Sequence, residues 1–229
     1  MPRTKRMYTS GVVCHVLNRA VGRAEIFRSA ADYAAFERVL AETCDAVPMR
    51  VLTFCLMPNH WHLVLWPQAD GDLSVFMHRL TMTHTMRWHH ARQTAGTGPL
   101  YQGRFKSFPV ASDEHFFTVC RYVERNPLRA NLVERAEDWR WSGLWHRSHP
   151  GNLLNLADWP LCPPTDWLQH VNQPHTVAEL AAIHESVQRG LPYGSDDWRR
   201  DTADHLGIRL ESRRAGRPRK KPAESGVQS

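Results

Sequence analysis

The stretch from Met49 to Pro67 constrains the fold more than any other part of the chain. Met49–Met57 is rich in β-formers, Pro58-Asn59 supplies turn chemistry, and His60 to Trp66 resumes the extended pattern before Pro67 stops it. Two such runs separated by a two-residue break close as an antiparallel hairpin, so the flanking segments must supply the rest of a sheet and its cover. Upstream, Val12 to Asn18 reads as a strand. A helix then runs from Ser29 or Ala30 to about Ala46, with Tyr33, Phe36, Val39, Leu40 and Cys44 at helical spacing. Downstream, Asp72 opens a second helix through about Arg92, with Leu73, Phe76, Leu80 and Trp88 on one side. Arg104 to Ala111 is strand-like, and Ser112-Asp113 can cap a third helix from Glu114 whose apolar stripe is Phe116, Val119, Cys120 and Val123.

The order β-α-β-β-α-β followed by a helix predicts a ferredoxin-like α+β domain, an antiparallel sheet with helices over one face, spanning residues 1–148. Residues 149–175 are proline-rich with scattered Trp159 and Trp167, which predicts an extended, partly packed connector. A helical extension follows over 176–208. Thr176 and Glu179 form a T-x-x-E capping box and Gly190 ends the first helix; Ser195 to Leu206 forms the second, closed by Gly207. Residues 209–229 read as a disordered basic tail. The five cysteines, Cys14, Cys44, Cys55, Cys120 and Cys162, include no C-x-x-C pair and sit mostly in apolar segments, so they read as reduced thiols rather than a zinc cluster or a disulfide framework. The longest apolar runs fall far short of the roughly 20 residues of a spanning helix, and the N-terminus lacks a secretory pattern, which predicts a cytoplasmic protein without a membrane partner.

The net charge of +6 is concentrated at one end, because residues 209 to 222 carry seven Arg and Lys against Glu211 alone. The remainder is balanced, so any nucleic-acid surface on the core must come from segregation of charge. From Leu73 to Ser112 there is no Asp or Glu in 40 residues, while Arg79, Arg87, Arg92, Arg104 and Lys106 occur with four histidines, which reads as a polyanion-facing surface. Arg104 and Lys106 flank Phe105 and are expected on one strand face as phosphate contacts, with Tyr101 and Trp88 available for base stacking. In the tail, Gly216-Arg217-Pro218-Arg219-Lys220 is similar to a minor-groove AT-hook core, with Ala215 where that core usually has Arg, and makes Arg217, Arg219 and Lys220 a nonspecific DNA tether.

His60 and His62 flank Trp61 on the predicted strand, so both imidazoles project from one face with Cα atoms roughly 6.5 to 7 Å apart. Such a pair can grip one divalent ion, although paired histidines also occur as ordinary half-buried strand residues. Imidazoles favour zinc and other late transition metals, whereas phosphate chemistry with an amide ligand suits magnesium or manganese. Tyr122 and Asn126 lie four apart and hence on one helix face. Asn126 can offer an amide oxygen as a third ligand and Tyr122 a phenol to a phosphorus atom; alternatively they are a core-edge tyrosine and an asparagine ending a helix ahead of Pro127.

Three ordered motifs, Met57-Pro58-Asn59-His60-Trp61-His62-Leu63, Tyr101-Gln102-Gly103-Arg104-Phe105-Lys106 and Tyr122-Val123-Glu124-Arg125-Asn126-Pro127-Leu128-Arg129-Ala130, resemble those of the REP-associated tyrosine transposases. These are relatives of the single-tyrosine HUH transposases of the smallest bacterial insertion sequences, and the resemblance covers roughly Tyr8 to Trp145. It implies an HUH nuclease fold in a bacterial, nucleoid-associated protein, monomeric or homodimeric. It further implies magnesium or manganese held by His60 and His62 with Asn126 as helper, Tyr122 as nucleophile on single-stranded or hairpin DNA, and a 5′-phosphotyrosine intermediate. Arg87, Arg104, Lys106 and Arg129 are then expected to contact DNA. The chain lacks a G-x-x-x-x-G-K-[ST] loop, and no nucleotide cofactor is expected. Trp61 stands where relatives often have Val, and Asn131 where they have Gly. Trp61 is expected to face the other side of the sheet, and Asn suits the left-handed position that ends a helix. His15 is expected beside the site without being a ligand. The competing reading is a non-catalytic DNA-binding regulator that keeps the fold; a zinc-dependent hydrolase lacks the HExxH motif.

Overall fold

The computed structural model describes residues 10–211. Within them, strands β1 (Val13–Arg19), β2 (Met49–Met57), β3 (His60–Pro67) and β4 (Lys106–Val110) form a sheet of order β2-β3-β1-β4 in which every neighbouring pair is antiparallel. The helices are α1 (Ala30–Ala46), α2 (Asp72–Arg92), α3 (Glu114–Glu124), α4 (Asn126–Arg129), α5 (Gly143–Ser148), α6 (Trp167–Asn172), α7 (Val177–Arg189) and α8 (Asp196–Leu206). The ferredoxin-like order is the one the periodicities predict. β4 is shorter than expected, because the chain bends at residues 102–104, where the Gln102 amide donates to the Arg19 carbonyl and Asn18 Nδ2 donates to the Gly103 carbonyl.

The expectation of helices over one face describes α1 and α2 only. Phe36 and Leu40 of α1 and Leu73, Phe76 and Leu80 of α2 pack with Val16, Phe54, Leu56, Trp61 and Leu63 of the sheet. The opposite face is also apolar, because the two central strands are hydrophobic at successive positions rather than at alternate ones, and it needs its own cover. Phe116, Val119, Cys120 and Val123 of α3 supply it against Leu52, Cys55, Val64, Phe108 and Val110. Fully burying each such side chain stabilises the fold by about 1.5 to 3 kcal/mol, so both layers are needed to hold the sheet.

Chain beyond residue 148 completes this second layer. The expected connector contains α6, whose Trp167 and Val171 are buried in the second core with Ile183 of α7. Trp167 Nε1 donates to Glu124 Oε2 at 2.8 Å while Thr53 Oγ1 donates to Oε1 at 2.6 Å, so one fully buried carboxyl ties β2, α3 and α6 together. Burial pushes the Glu124 carboxyl up to about 7, against the opposing pull of these two hydrogen bonds and the Arg147 charge. The chain after α4 occupies both edges of the sheet. On β2, the Leu56 amide donates to the Trp141 carbonyl, the Ala157 amide to the Val51 carbonyl, and Trp159 Nε1 to the Leu52 carbonyl. On β4, the Tyr193 amide donates to the Pro109 carbonyl and the Ala111 amide to the Tyr193 carbonyl. The α7–α8 connection is therefore strand-like and sheet-bound.

Candidate active site

Strand register builds the site. His60 pairs with Arg19, and His62 with Leu17, which in turn pairs with Lys106, so these positions lie on one face of β3, β1 and β4. Trp61 turns to the other face, where its Nε1 donates to Tyr101 Oη at 3.0 Å. The face with the histidines is the one covered by α3, and Tyr122 in its last turn, 6% exposed, brings its ring centroid to 5.7 Å from that of His62. The His60 and His62 centroids are 5.1 Å apart.

Both imidazoles are oriented from behind. His60 Nδ1 donates to Asn59 Oδ1 at 2.6 Å, which leaves its Nε2 with a lone pair. His62 Nδ1 is hydrogen-bonded to His15 Nε2 at 2.9 Å; when Nδ1 carries the proton, His62 Nε2 is likewise a free donor atom. His15 is fully buried with its Nδ1 unpartnered, so its one hydrogen bond is the one that orients His62. Burial holds His15 down to about 3, and burial with the Arg19 and Arg129 charges holds His60 down to about 4. Burial and the neighbouring His60, His15, Arg129 and Arg19 keep His62 well below the usual imidazole range. Neutral imidazoles with fixed tautomers are metal ligands rather than cations, so the donor set fits a divalent ion.

Asn126 opens α4 and does not sit on α3 itself, because the helix breaks at Arg125 ahead of Pro127. Its Nδ2 donates to the Tyr122 carbonyl at 3.3 Å, and its Oδ1 accepts from Arg129 at 2.8 Å. The amide oxygen therefore already holds a guanidinium, and a metal would have to use its second lone pair. The same guanidinium lies 4.9 Å from the Tyr122 ring centroid. Asn131 adopts φ 55°, the left-handed geometry expected after α4.

Other predicted residues are placed elsewhere. Arg104 is exposed in the bend before β4, whereas Lys106 is exposed within β4, so the two do not share a strand face. Arg87 is held at 3.0 and 2.7 Å by both oxygens of Glu42, and Arg92 at 2.6 Å by Asp32. Forty residues without an acid thus receive their acids from α1, which neutralises much of that surface. Tyr101 is buried, its hydroxyl bonded to Trp61 and His84, and Trp88 Nε1 donates to the Ile26 carbonyl; both are packing residues rather than stacking platforms. Arg217, Arg219 and Lys220 lie outside the described residues. A further compact group of metal-capable side chains, Asp113, Glu114 and His115, begins α3, but Asp113 Oδ1 is engaged by the His115 amide and Nδ1.

Sequence reasoning missed Asn59 as the partner of His60 and missed Arg19, whose buried Nε has no partner among the described residues. It also missed His175, before α7, and His184, on α7, whose rings each stand 6.1 Å from the Tyr122 ring. Of the residues that surround the histidine pair and the tyrosine, His15 in the first strand and Asn126 and Arg129 after α3 carried a signal in the sequence.

The family described as IS200-like transposase matches residues 8–126, a segment that contains the histidine pair, Tyr122 and Asn126. A Haemophilus influenzae protein named as a REP-associated tyrosine transposase is 24% identical over 140 residues, covering 58% of this chain and 74% of that one. The solved structure of a REP-associated tyrosine transposase bound to a REP hairpin superposes with a TM-score of 0.52 at 16% identity, over 72% of this chain and all of that one, and shares the fold. With more than half of its length matched in this way, the chain belongs to the IS200-like transposase family.

Proposed function

We propose that the protein is a metal-dependent single-stranded DNA endonuclease and strand transferase that cleaves and rejoins hairpin-forming repeats through Tyr122. The observation that carries this reading is the packing of the Tyr122 ring against His62, on the sheet face where His60 and His62 each have one nitrogen locked from behind and the other free. Hairpin DNA is the chosen substrate because a relative of the same fold is bound to a REP hairpin.

A phenol with a reference pKa of about 10 is a poor nucleophile near neutrality unless its target is made more electrophilic. His60 and His62, with Asn126 as helper, would hold a magnesium or manganese ion, which would supply Lewis-acid polarisation of the scissile phosphate. Arg19 and Arg129, the cations that bear on His60, offer guanidinium donors to the other phosphate oxygens and offset the charge that builds on phosphorus. Tyr122, fixed by its buried ring, attacks in line. The products are a 5′-phosphotyrosine link and a free 3′-hydroxyl. Because the phosphodiester energy stays in the covalent link, the reverse attack rejoins or transfers strands without a nucleotide cofactor. Lys106, in the same cross-strand row as His62, extends the basic track for the DNA backbone.

The test is incubation of the full chain with manganese and a pool of hairpin-bearing single-stranded oligonucleotides, followed by denaturing electrophoresis. A denaturation-resistant protein–DNA adduct that disappears in both Tyr122→Phe and His60→Ala is the expected result. Tight hairpin binding without adduct or cleavage under magnesium, manganese or zinc would show a DNA-binding regulator instead.

A further inference from the structure

Tyr122 is enclosed by more imidazoles than a metal pair requires. His62 and His15 lie on the sheet side, with ring centroids 5.7 and 6.2 Å away, while His175 and His184 approach from the α6–α7 junction and from α7, each at 6.1 Å and nearly perpendicular to the phenol ring. Three of the four are already employed. His62 and His15 are bonded to each other, and His175 Nε2 donates to the Thr118 carbonyl at 3.2 Å. His184 is exposed and makes no hydrogen bond to any described residue, and the Tyr122 hydroxyl likewise makes none.

α7 is not a loose appendage that happens to pass by. Ile183 and Ser186 are buried against the second core, and Glu179 Oε1 accepts from the buried Arg121 of α3 at 2.5 Å, so the helix carrying His184 is anchored on both sides of it. His184 lies beyond residues 8–126, the segment that the family model matches, in the C-terminal region of the chain.

We propose that His184 is the proton acceptor for Tyr122, a deepening that rests on the strand-cleavage reading above. As the Tyr122 Oη–P bond forms and the P–O3′ bond breaks, the phenolic proton passes to a neutral ring nitrogen of His184, and the departing 3′ oxygen takes a proton from water. In the reverse attack the 3′-hydroxyl gives its proton to water and the His184 imidazolium returns its own to Oη. An imidazole open to solvent suits this role because it can exchange the proton between turnovers, which the buried His15 cannot. Partial burial and the Arg129 charge both hold His184 below the usual imidazole range, which keeps it in the accepting form.

The test measures single-turnover adduct formation by the full chain with manganese and the hairpin oligonucleotide pool, comparing wild type, His184→Ala and His184→Gln. Hairpin affinity is measured by fluorescence anisotropy without metal, and folding by thermal melting. The expected result is a fall of roughly 100-fold or more in adduct rate for both variants, with hairpin affinity and melting unchanged and partial recovery of His184→Ala by added imidazole. A wild-type rate in His184→Ala overturns the inference and leaves the cleavage reading intact. A slow variant that imidazole does not rescue, or that binds hairpin as weakly as it reacts, assigns His184 to positioning and also overturns it. A wild type that forms no adduct overturns the cleavage reading and the inference together.

Discussion

Glu124→Gln should change how stability depends on pH without disturbing the packing around it. The Glu124 carboxyl is fully buried, accepts from Thr53 and Trp167, and titrates at about 7 instead of 4.5. A folded-state pKa raised above the unfolded one stabilises the protonated native state; the stability is present at acid pH and is lost as pH rises through the folded value. Each tenfold change in proton affinity is worth about 1.4 kcal/mol, so the charge on Glu124 costs about 3 kcal/mol once it is fully formed. Gln mimics the protonated acid: its carbonyl oxygen still accepts from Trp167, and its amide can donate to the Thr53 hydroxyl. Urea denaturation of wild type and variant from about pH 5 to about pH 8 should therefore show the variant gaining on wild type by about 2 to 3 kcal/mol across that range. The neutral, buried His15, His60 and His62 give both proteins a slope of the opposite sign below about pH 6.5, since their lowered values make stability fall on acidification; the difference between the two proteins removes that common part. Parallel stability curves would refute the argument that burial outweighs the hydrogen bonds at Glu124.

Three further outcomes follow from contacts described above. Gly143→Ala should destabilise the chain by roughly 1 to 3 kcal/mol in urea melts, because the added methyl meets Thr53 and the Phe54 backbone with no room to retreat. His15→Ala removes the hydrogen bond that orients His62 and should weaken manganese binding by about 10- to 100-fold in calorimetric titration. Arg87→Gln should leave hairpin affinity within error in anisotropy titrations, since Glu42 already occupies that guanidinium, whereas Lys106→Gln should weaken it and reduce the salt dependence.

The hairpin and the histidine pair are legible in the sequence because they depend on local rules. Pro58-Asn59 makes the turn, alternation places His60 and His62 on one face, and the capping box at Thr176 and Glu179 starts α7 where the pattern says it should. What escaped is set by distant partners. The acid-free run from Leu73 to Ser112 looks cationic in one dimension and has two of its five Arg and Lys neutralised in three, because Glu42 and Asp32 of α1 face Arg87 and Arg92. Tyr101 lies in a motif that suggests a stacking surface, yet the buried Trp61 and His84 claim its hydroxyl. The completion of the second sheet layer by Trp167, Val171 and Ile183 and the approach of His184 to Tyr122 both come from the chain beyond residue 148, where no local signal marks which apolar residues will be buried.

The strand-like contacts of Trp141, Ala157 and Tyr193 with the margins of the sheet also bear on assembly. A sheet with bare margins can grow by adding the strand of a second molecule, and such growth is the simplest way for two copies of an open antiparallel sheet to join. Here the outer strands already spend several of their outward backbone donors and acceptors within their own chain, which disfavours the fusion of two copies into one continuous sheet there. A pair of these molecules would instead meet through helices and loops, which would leave each histidine–tyrosine centre working as a self-contained unit within its own sheet.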